Sequence, residues 1–235
     1  MSVLYFGDYR LNDFCDYIFL RNTESSPKRV YEEIEVPGRN GKLLLDSKYY
    51  QNVPREYTVV IASGDVEGRR DLFINVVQSM VGYRRLYDAD RPDVYTMAKV
   101  MPITSMKYPK NRRKLKFVLT FDRVPQWFVI DGEQPITLDN PDSVYNPTLF
   151  QSQPLIRIYG NGTLTIGTQT VTVTGNTNAY VDVDSEIMNC FYGTTNLNSK
   201  VALSGHEFPV LEPGNNSITY TGITAAEIVP RWWTL

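Results

Sequence analysis

The sequence is poor in the side chains that catalytic and metal sites most often use. It contains one histidine, His206, and two cysteines, Cys15 and Cys190, which are far apart in the chain. Two isolated thiols define neither a short-spaced zinc site nor a disulfide framework, and a Ser-His-Asp arrangement has a single candidate base. A Gly-rich phosphate loop and a helical metal-binding pair are also missing. We therefore predict no enzymatic activity, no catalytic residue, no metal and no cofactor.

Long apolar runs are lacking as well. A typical run, residues 59–62, falls far short of the ~20 residues that a transmembrane helix needs. The first eight residues lack the basic start of a secretory signal. We predict no membrane insertion, and we predict synthesis and assembly in a cytoplasm. The net charge of −2 argues against general nucleic-acid binding, whereas 42% hydrophobic residues suffice for well-packed cores.

What the sequence does contain is a change of composition near residue 140. Of the 24 Lys and Arg residues, 21 precede position 141 and only Arg157, Lys200 and Arg231 follow it. Acidic residues divide 19 to 7, so the two segments carry net charges of +2 and −4. Threonine shows the opposite distribution, with 6 residues before position 141 and 14 after it. Two different surfaces, one charged and one rich in threonine, indicate two domains.

The first segment combines strands with one helix. Residues 17–20, 30–36 and 55–62 are rich in β-formers, and residues 37–41 (PGRNG) supply the glycines for a hairpin tip. Between residues 65 and 81 apolar side chains recur at helical spacing, with Ser63 or Asp65 as the cap and Gly82 as the end. We predict a helix over 65–81 that lies on a sheet, within an N-terminal domain of residues 1–135.

The sequence of the second segment predicts a linker followed by short strands. Prolines at 135, 141, 147 and 154, separated by Asn, Asp and Ser, favour extended chain without periodicity, and we place the linker at residues 136–146. Beyond it, about eight short strands at roughly 8–12-residue spacing predict a β-sandwich over residues 147–235. The predicted fold class is therefore mainly β in two domains, with one helix in the first.

The order of these features resembles the distal tail protein, Dit, of long-tailed (siphovirus-type) bacteriophages. The segments that carry the resemblance are PGRNG at 37–41, the helix and following YRRLYD at 83–88, FVLTF at 117–121 before PQW, NPT at 146–148, and FPVLEPGNN at 208–216. The resemblance spans nearly the whole chain, and it depends on the joint order because each motif alone is common in β proteins.

The resemblance implies a structural virion protein in the distal tail. In that family, N-terminal domains of the β-sandwich or split-barrel type form a homohexameric ring around a channel, and galectin-like C-terminal sandwiches lie outside. Its implied partners are copies of itself, the tail tube protein and the tail-tip hub or tail-associated protein, together with receptor-binding or adhesion proteins. Phage DNA passes through the channel during ejection without specific binding.

Charged residues of the first segment are the candidate contacts between subunits or with partners, since complementary charge sets which surfaces meet. Two strands, near residues 55–62 and 83–87, are candidate edges, and the basic run at 110–116 suits a protein contact better than a DNA contact, although a solvated hairpin tip also explains it. The candidate residues are Arg55, Tyr57, Arg84, Arg85, Lys110, Arg112, Arg113 and Lys114.

Two alternatives remain open for the sequence. The protein could be a carbohydrate-binding adhesion module of the tail tip, with Trp232 or Trp233 as an exposed aromatic platform, although the His and Asn-Pro-Arg stretch typical of galectin sugar sites is missing. Acidic clusters at 88–93 and 182–186 could bind calcium, but neither fits an EF-hand loop. Alternating Asp on a strand more simply marks a solvent-facing side.

Overall fold

The computed structural model describes residues 2–21, 25–103, 105–107 and 113–235. These residues form mainly antiparallel β-sheet with one α-helix, which confirms the predicted fold class. Contacts divide the chain into two compact units, residues 1–127 with Leu235 and residues 128–234. Within the described ranges, no helix combines the length and the apolar character needed to cross a bilayer.

The first unit contains one large sheet, a small separate sheet and the helix. In the large sheet the strand order is β2-β1-β7-β8-β10-β6-β3, with β9 beside β10, whereas β4 and β5 pair with each other. The elements are β1 (Leu4–Phe6), β2 (Tyr9–Arg10), β3 (Tyr17–Leu20), β4 (Arg29–Ile34), β5 (Leu43–Tyr50), β6 (Val53–Ile61), α1 (Val66–Ser79), β7 (Arg84–Asp88), β8 (Val94–Val100), β9 (Met106–Lys107) and β10 (Leu115–Arg123).

The core of the first unit lies between the helix and the inner side of the large sheet. Strands β6 and β10 pair along their full length, and alternate side chains of each are buried. The helix buries Val66, Phe73 and Val77, and the Phe73 ring meets Phe117 edge-on at 5.5 Å. Apolar burial of this kind is the main source of stability for both elements.

The helix is shorter than the predicted 65–81. It begins after Asp65, whose side chain accepts a hydrogen bond from the Gly68 backbone, and it ends at Ser79. Met80 is already extended, and Gly82 takes the left-handed conformation two residues later. Because the chain leaves the helix before Val81, that side chain is exposed and does not widen the buried stripe.

The second unit is built around two long strands. Its main strand order is β12-β20-β14-β16-β17-β18, with β13 beside β20, β15 beside β14 and β19 beside β15. Strand β11 (Trp127–Val129) crosses the boundary between the units. The others are β12 (Ile136–Leu138), β13 (Asp142–Asn146), β14 (Leu155–Ile166), β15 (Gln169–Val173), β16 (Val181–Asp184), β17 (Asn189–Tyr192), β18 (Thr195–Asn196), β19 (Val201–Leu203), β20 (Gly214–Val229) and β21 (Trp233–Thr234).

The segment predicted as a linker, residues 136–146, is instead part of this sheet. Both β12 and β13 pair with β20, and the Asn140 side chain between them bonds the backbone N–H and C=O of Tyr220. The extended chain that prolines favour is also strand geometry. It pairs here because β20 runs for 16 residues and is much longer than the short strands predicted for this region.

Candidate assembly surface

Residues 29–50, called the arm below, form a hairpin with little burial of its own. Within the described chain, β4 and β5 pair with no other strand, and seven of the eight residues of β5 are exposed. At the tip, Gly38 and Gly41 adopt φ values of 79° and 83°, which lets the chain reverse as the sequence predicted.

The pairing register gives the arm two different faces. Glu32 lies opposite Leu45 and Ile34 opposite Leu43, so these four side chains share one side, the apolar face. Leu43 is 36% exposed and Leu45 is 46% exposed.

The other side, the charged face, carries Tyr31, Glu33, Leu44 and Asp46. Two ion pairs of the arm involve this side. Lys42 binds Glu33 at 2.7 Å, and Arg29 pairs with Asp46. The hydrogen bond from Lys42 lowers the pKa of Glu33. The charged face thus combines these ion pairs with Tyr31 and Leu44, which are 47% and 57% exposed.

An isolated two-stranded hairpin is at best marginally stable in water. Exposed clusters of large apolar side chains on soluble proteins commonly mark interaction sites. The arm combines both properties, since Leu43, Leu44 and Leu45 are exposed in a sheet of two strands. The pairing of β4 with β5 therefore leaves these leucines uncovered.

A second surface lies on the outer side of the large sheet, at the end opposite the arm. Cross-strand pairing places Arg10 beside Tyr5, Tyr5 beside Tyr87 and Tyr87 beside Tyr95, and Arg85 is two residues from Tyr87 on the same side. These five residues form the basic aromatic face. The Tyr5 and Tyr87 rings lie 5.9 Å apart, and the Arg85 guanidinium lies 3.6 Å from the Tyr95 ring centroid.

The basic aromatic face contains a cleft of ≈ 330 Å³. A separate cleft of ≈ 350 Å³, elsewhere on the sheet, has Arg21, Lys107 and Lys116 in its lining. Tyr5, Gly7, Arg85 and Tyr87 line the cleft of the basic aromatic face. Gly7 has φ 56°, and a side chain there would meet the sulfur of Met80 at 3.1 Å. The glycine thus allows β1 to turn into β2 directly beside this cleft.

Arg55 and Tyr57, two of the predicted contact residues, are instead buried inside the first unit. Arg55 is 4% exposed and Tyr57 is fully buried, because they share the inner side of β6 with Val53 and Val59. Arg55 and Tyr57 both bond Asp88, and burial raises the pKa of Tyr57. These side chains therefore cannot contact a neighbouring molecule.

The two strands proposed as edges are also interior to the sheet. Strand β6 lies between β10 and β3, and β7 lies between β1 and β8. Among the remaining charged candidates, Arg84, Arg113 and Lys114 are exposed and Arg85 is half-buried. Lys110 and Arg112 lie outside the described residues.

Trp232 and Trp233 of the second unit are half-buried. Trp232 packs against the core of its unit. Trp233 stacks on Phe150 with ring centroids 4.4 Å apart, and its indole N–H donates to the Gln151 carbonyl at 3.1 Å. Neither ring is the open platform that a sugar site built on them would need.

Asp182 and Asp184 do not face solvent as their alternation suggested, since both are buried and each is bound by an arginine. Arg157 binds Asp182 through two hydrogen bonds of 2.8 and 3.0 Å, and Arg231 binds Asp184 through two of 2.7 and 2.9 Å. Burial alone would raise the pKa of Asp184, but the bonds from Arg231 lower it. In the part of the chain that the structure describes, no group of three or more His, Cys, Asp or Glu is arranged to hold a metal.

Sequence reasoning did not find the arm's apolar face or the basic aromatic face. A signal for the first was present, since the run Leu43-Leu44-Leu45 follows a predicted hairpin tip and places leucine on both sides of a strand. The basic aromatic face can be recognised only once the pairing of β1 with β2 and β7 is known, because that pairing brings Tyr5, Arg10 and Tyr87 together. No local pattern contains that information.

The described residues thus form a mainly β chain with an exposed arm and a partly buried basic aromatic face. Its fold is that of a known phage protein. The crystal structure of the SPP1 Dit protein, described as a paradigm of the hub adsorption apparatus in phages that infect Gram-positive bacteria, superposes with a TM-score of 0.74. The match covers 100% of both chains at 12% sequence identity. The resemblance to distal tail proteins is thus confirmed at the level of the fold.

Two weaker structural matches come from the phage P2 baseplate in its activated conformation, with Ca and with Sr. They have TM-scores of 0.46 and 0.45 and sequence identities of 12% and 11%. They cover 90% and 96% of this chain and 89% of theirs. No family model and no curated protein matches the sequence.

Proposed function

We propose that the chain is a structural protein of a phage tail tip that assembles with copies of itself into a ring at the distal end of the tail. Six copies would enclose a channel through which DNA leaves without specific binding. The ring would join the tail tube to the tail-tip or baseplate hub. It would lie in the virion, after assembly in the host cytoplasm.

The exposed arm is the observation that carries this proposal. A hairpin with Leu43 and Leu45 exposed on its apolar face has little reason to persist in a monomer. A ring gives every arm the same neighbour, because head-to-tail contacts between identical chains close on themselves. The full-length match of the fold to the SPP1 Dit protein supports the same assignment.

The N-terminal β unit would build the ring and the threonine-rich second unit would lie outside it. Tail tube, hub and receptor-binding or adhesion proteins are the proposed partners. This role needs no catalysis. A carbohydrate-binding adhesion module, the alternative, has less support because its candidate platforms Trp232 and Trp233 are half-buried.

Light scattering and negative-stain imaging of the purified chain test the proposal. The expected result is a particle of six times the 26.9 kDa chain mass, with a central hole. Because some rings form only on a template, the measurement is repeated with the tail tube protein. A chain that stays monomeric in both conditions at micromolar concentration would contradict the proposal.

A further inference from the structure

We propose that the apolar face of the arm docks on the basic aromatic face of the next copy of the chain. The inference rests on the proposed self-assembly and specifies the two surfaces that meet. The apolar face is formed by Glu32, Ile34, Leu43 and Leu45, and the basic aromatic face by Tyr5, Arg10, Arg85, Tyr87 and Tyr95.

The two surfaces match in apolar character. The arm offers three aliphatic side chains, Ile34, Leu43 and Leu45, on one side. The other surface offers tyrosine rings around a cleft of ≈ 330 Å³ that is open to solvent water. Aliphatic side chains that enter this cleft would release that water, and burial of apolar area drives most protein association.

The two surfaces also match in charge. Glu32 is the acidic residue on the apolar face, whereas Glu33 on the opposite face already binds Lys42. The basic aromatic face contributes Arg85 and Arg10, and the contact of Arg10 with Asp13 is a long, exposed one of 3.8 Å. Complementary charge of this kind sets the register of an interface more than it adds affinity.

The topology points to a second copy rather than to the same chain. The arm connects β3 to β6, at one end of the sheet order, and the basic aromatic face begins at β2 and β1, at the other end. Within its own chain the arm stays exposed, so it does not fold back over the sheet. Two complementary surfaces at opposite ends of one sheet produce a head-to-tail contact, the kind that closes into a ring.

Cysteine cross-linking tests this contact. One variant combines Leu43→Cys with Tyr5→Cys, and a second combines Leu45→Cys with Tyr87→Cys. The matched control combines Leu44→Cys, on the charged face, with Tyr5→Cys. Circular dichroism and thermal unfolding establish that all variants remain folded.

The native thiols do not interfere with this test. Cys15 and Cys190 are both buried. Burial raises the pKa of Cys15 to about 12 and that of Cys190 to about 11. Both thiols stay protonated at pH 8 and react slowly, since the thiolate is the reactive form.

Mild oxidation, or a short bis-maleimide, is applied to the assembled protein, and the products are separated on a denaturing gel. We expect a ladder of covalent dimers and higher multimers for at least one of the two arm-face variants, at least tenfold stronger than in the control. If the parent protein assembles but neither variant exceeds the control, the docking arrangement is wrong and self-assembly stands. If the parent protein does not assemble, both proposals fail together.

Discussion

The hydroxyl of Tyr57 donates a 2.9 Å hydrogen bond to Oδ2 of Asp88 in the interior of the first unit. Arg55 binds both groups, donating from Nε to the Tyr57 hydroxyl at 2.7 Å and from Nη2 to Asp88 at 3.2 Å. We expect Asp88→Asn to lower the free energy of unfolding by about 3–5 kcal/mol, because the buried Arg55 keeps its charge and loses its carboxylate. Tyr57→Phe removes a single hydroxyl and should cost about 1–2 kcal/mol.

Urea unfolding followed by circular dichroism measures both effects. The control is Glu56→Gln, which breaks a pair of Glu56 with Arg21 whose side chains are 34% and 46% exposed. Surface pairs of this kind contribute about 0–1 kcal/mol. A loss for Asp88→Asn no greater than that for Glu56→Gln would show that this buried network does not stabilise the unit.

A second prediction concerns the glycine that lets β14 and β20 pair past a register shift. Gly162 has φ 152°, and a side chain there would lie 2.2 Å from the Thr221 carbonyl oxygen. Backbone cannot move aside as a flexible side chain can, so Gly162→Ala should destabilise the second unit by at least ~2 kcal/mol. Gly175→Ala is the control, because there the nearest atom is the mobile Lys200 amino group at 3.5 Å. An alanine in the left-handed conformation of residue 175 should cost about 1 kcal/mol. Thermal unfolding of both variants tests whether Gly162→Ala is the more destabilising.

Much of the fold could be predicted because its signals are local. The glycines at 38 and 41 mark the arm's tip, and the helical spacing of Val66, Phe73 and Val77 marks the helix. A cap at Asp65 also follows from residue type. Each of these depends on residues within a few positions of one another, which is the range over which sequence patterns are informative.

The candidate contacts could not be predicted in the same way. Arg55 and Tyr57 were assigned to a surface because of their chemistry, but they lie on the same buried side of β6 as Val53 and Val59. Burial of Arg55 is possible because Asp88 lies within hydrogen-bond distance, although it is 33 positions away in the sequence. Polar partners brought together by long-range strand pairing leave no trace in local composition.

A third prediction follows from Asp16, which binds the residues that lead into the helix. Its carboxylate accepts hydrogen bonds from the Ala62 backbone at 2.7 Å and from Arg69 at 3.0 Å, and it also binds Ser63. Burial alone would raise the pKa of Asp16, but the bonds from Ser63, Ala62 and Arg69 outweigh it and lower the pKa to about 2. The folded state therefore binds this proton less readily than the unfolded state, whose pKa is near 3.8.

The stabilisation by Asp16 is thus complete above about pH 4 and is lost as the pH falls towards 2. In Asp16→Asn the urea midpoint should be lower at neutral pH and should fall less between pH 4 and pH 2 than in the parent. Asp13→Asn is the matched control, since Asp13 is 60% exposed and lies 3.8 Å from Arg10. An acid dependence in Asp16→Asn as steep as that of the parent would assign the effect to other carboxylates.

The last prediction separates the two faces of the arm. Leu43→Ser and Leu45→Ser together remove two leucines from the apolar face, and each leucine should contribute about 1.5–3 kcal/mol when buried by a neighbour. We expect this double variant to weaken self-assembly at least ~100-fold, since ~1.4 kcal/mol corresponds to a factor of ten. Leu44 lies between them in the sequence but on the charged face, and it is 57% exposed. Leu44→Ser should therefore change assembly less than about threefold. Sedimentation velocity over a concentration series measures the three proteins, and thermal unfolding of the monomers separates assembly from folding. An equal loss of assembly in Leu44→Ser would mean that the arm acts through both faces, which a single docking surface on the neighbour cannot provide.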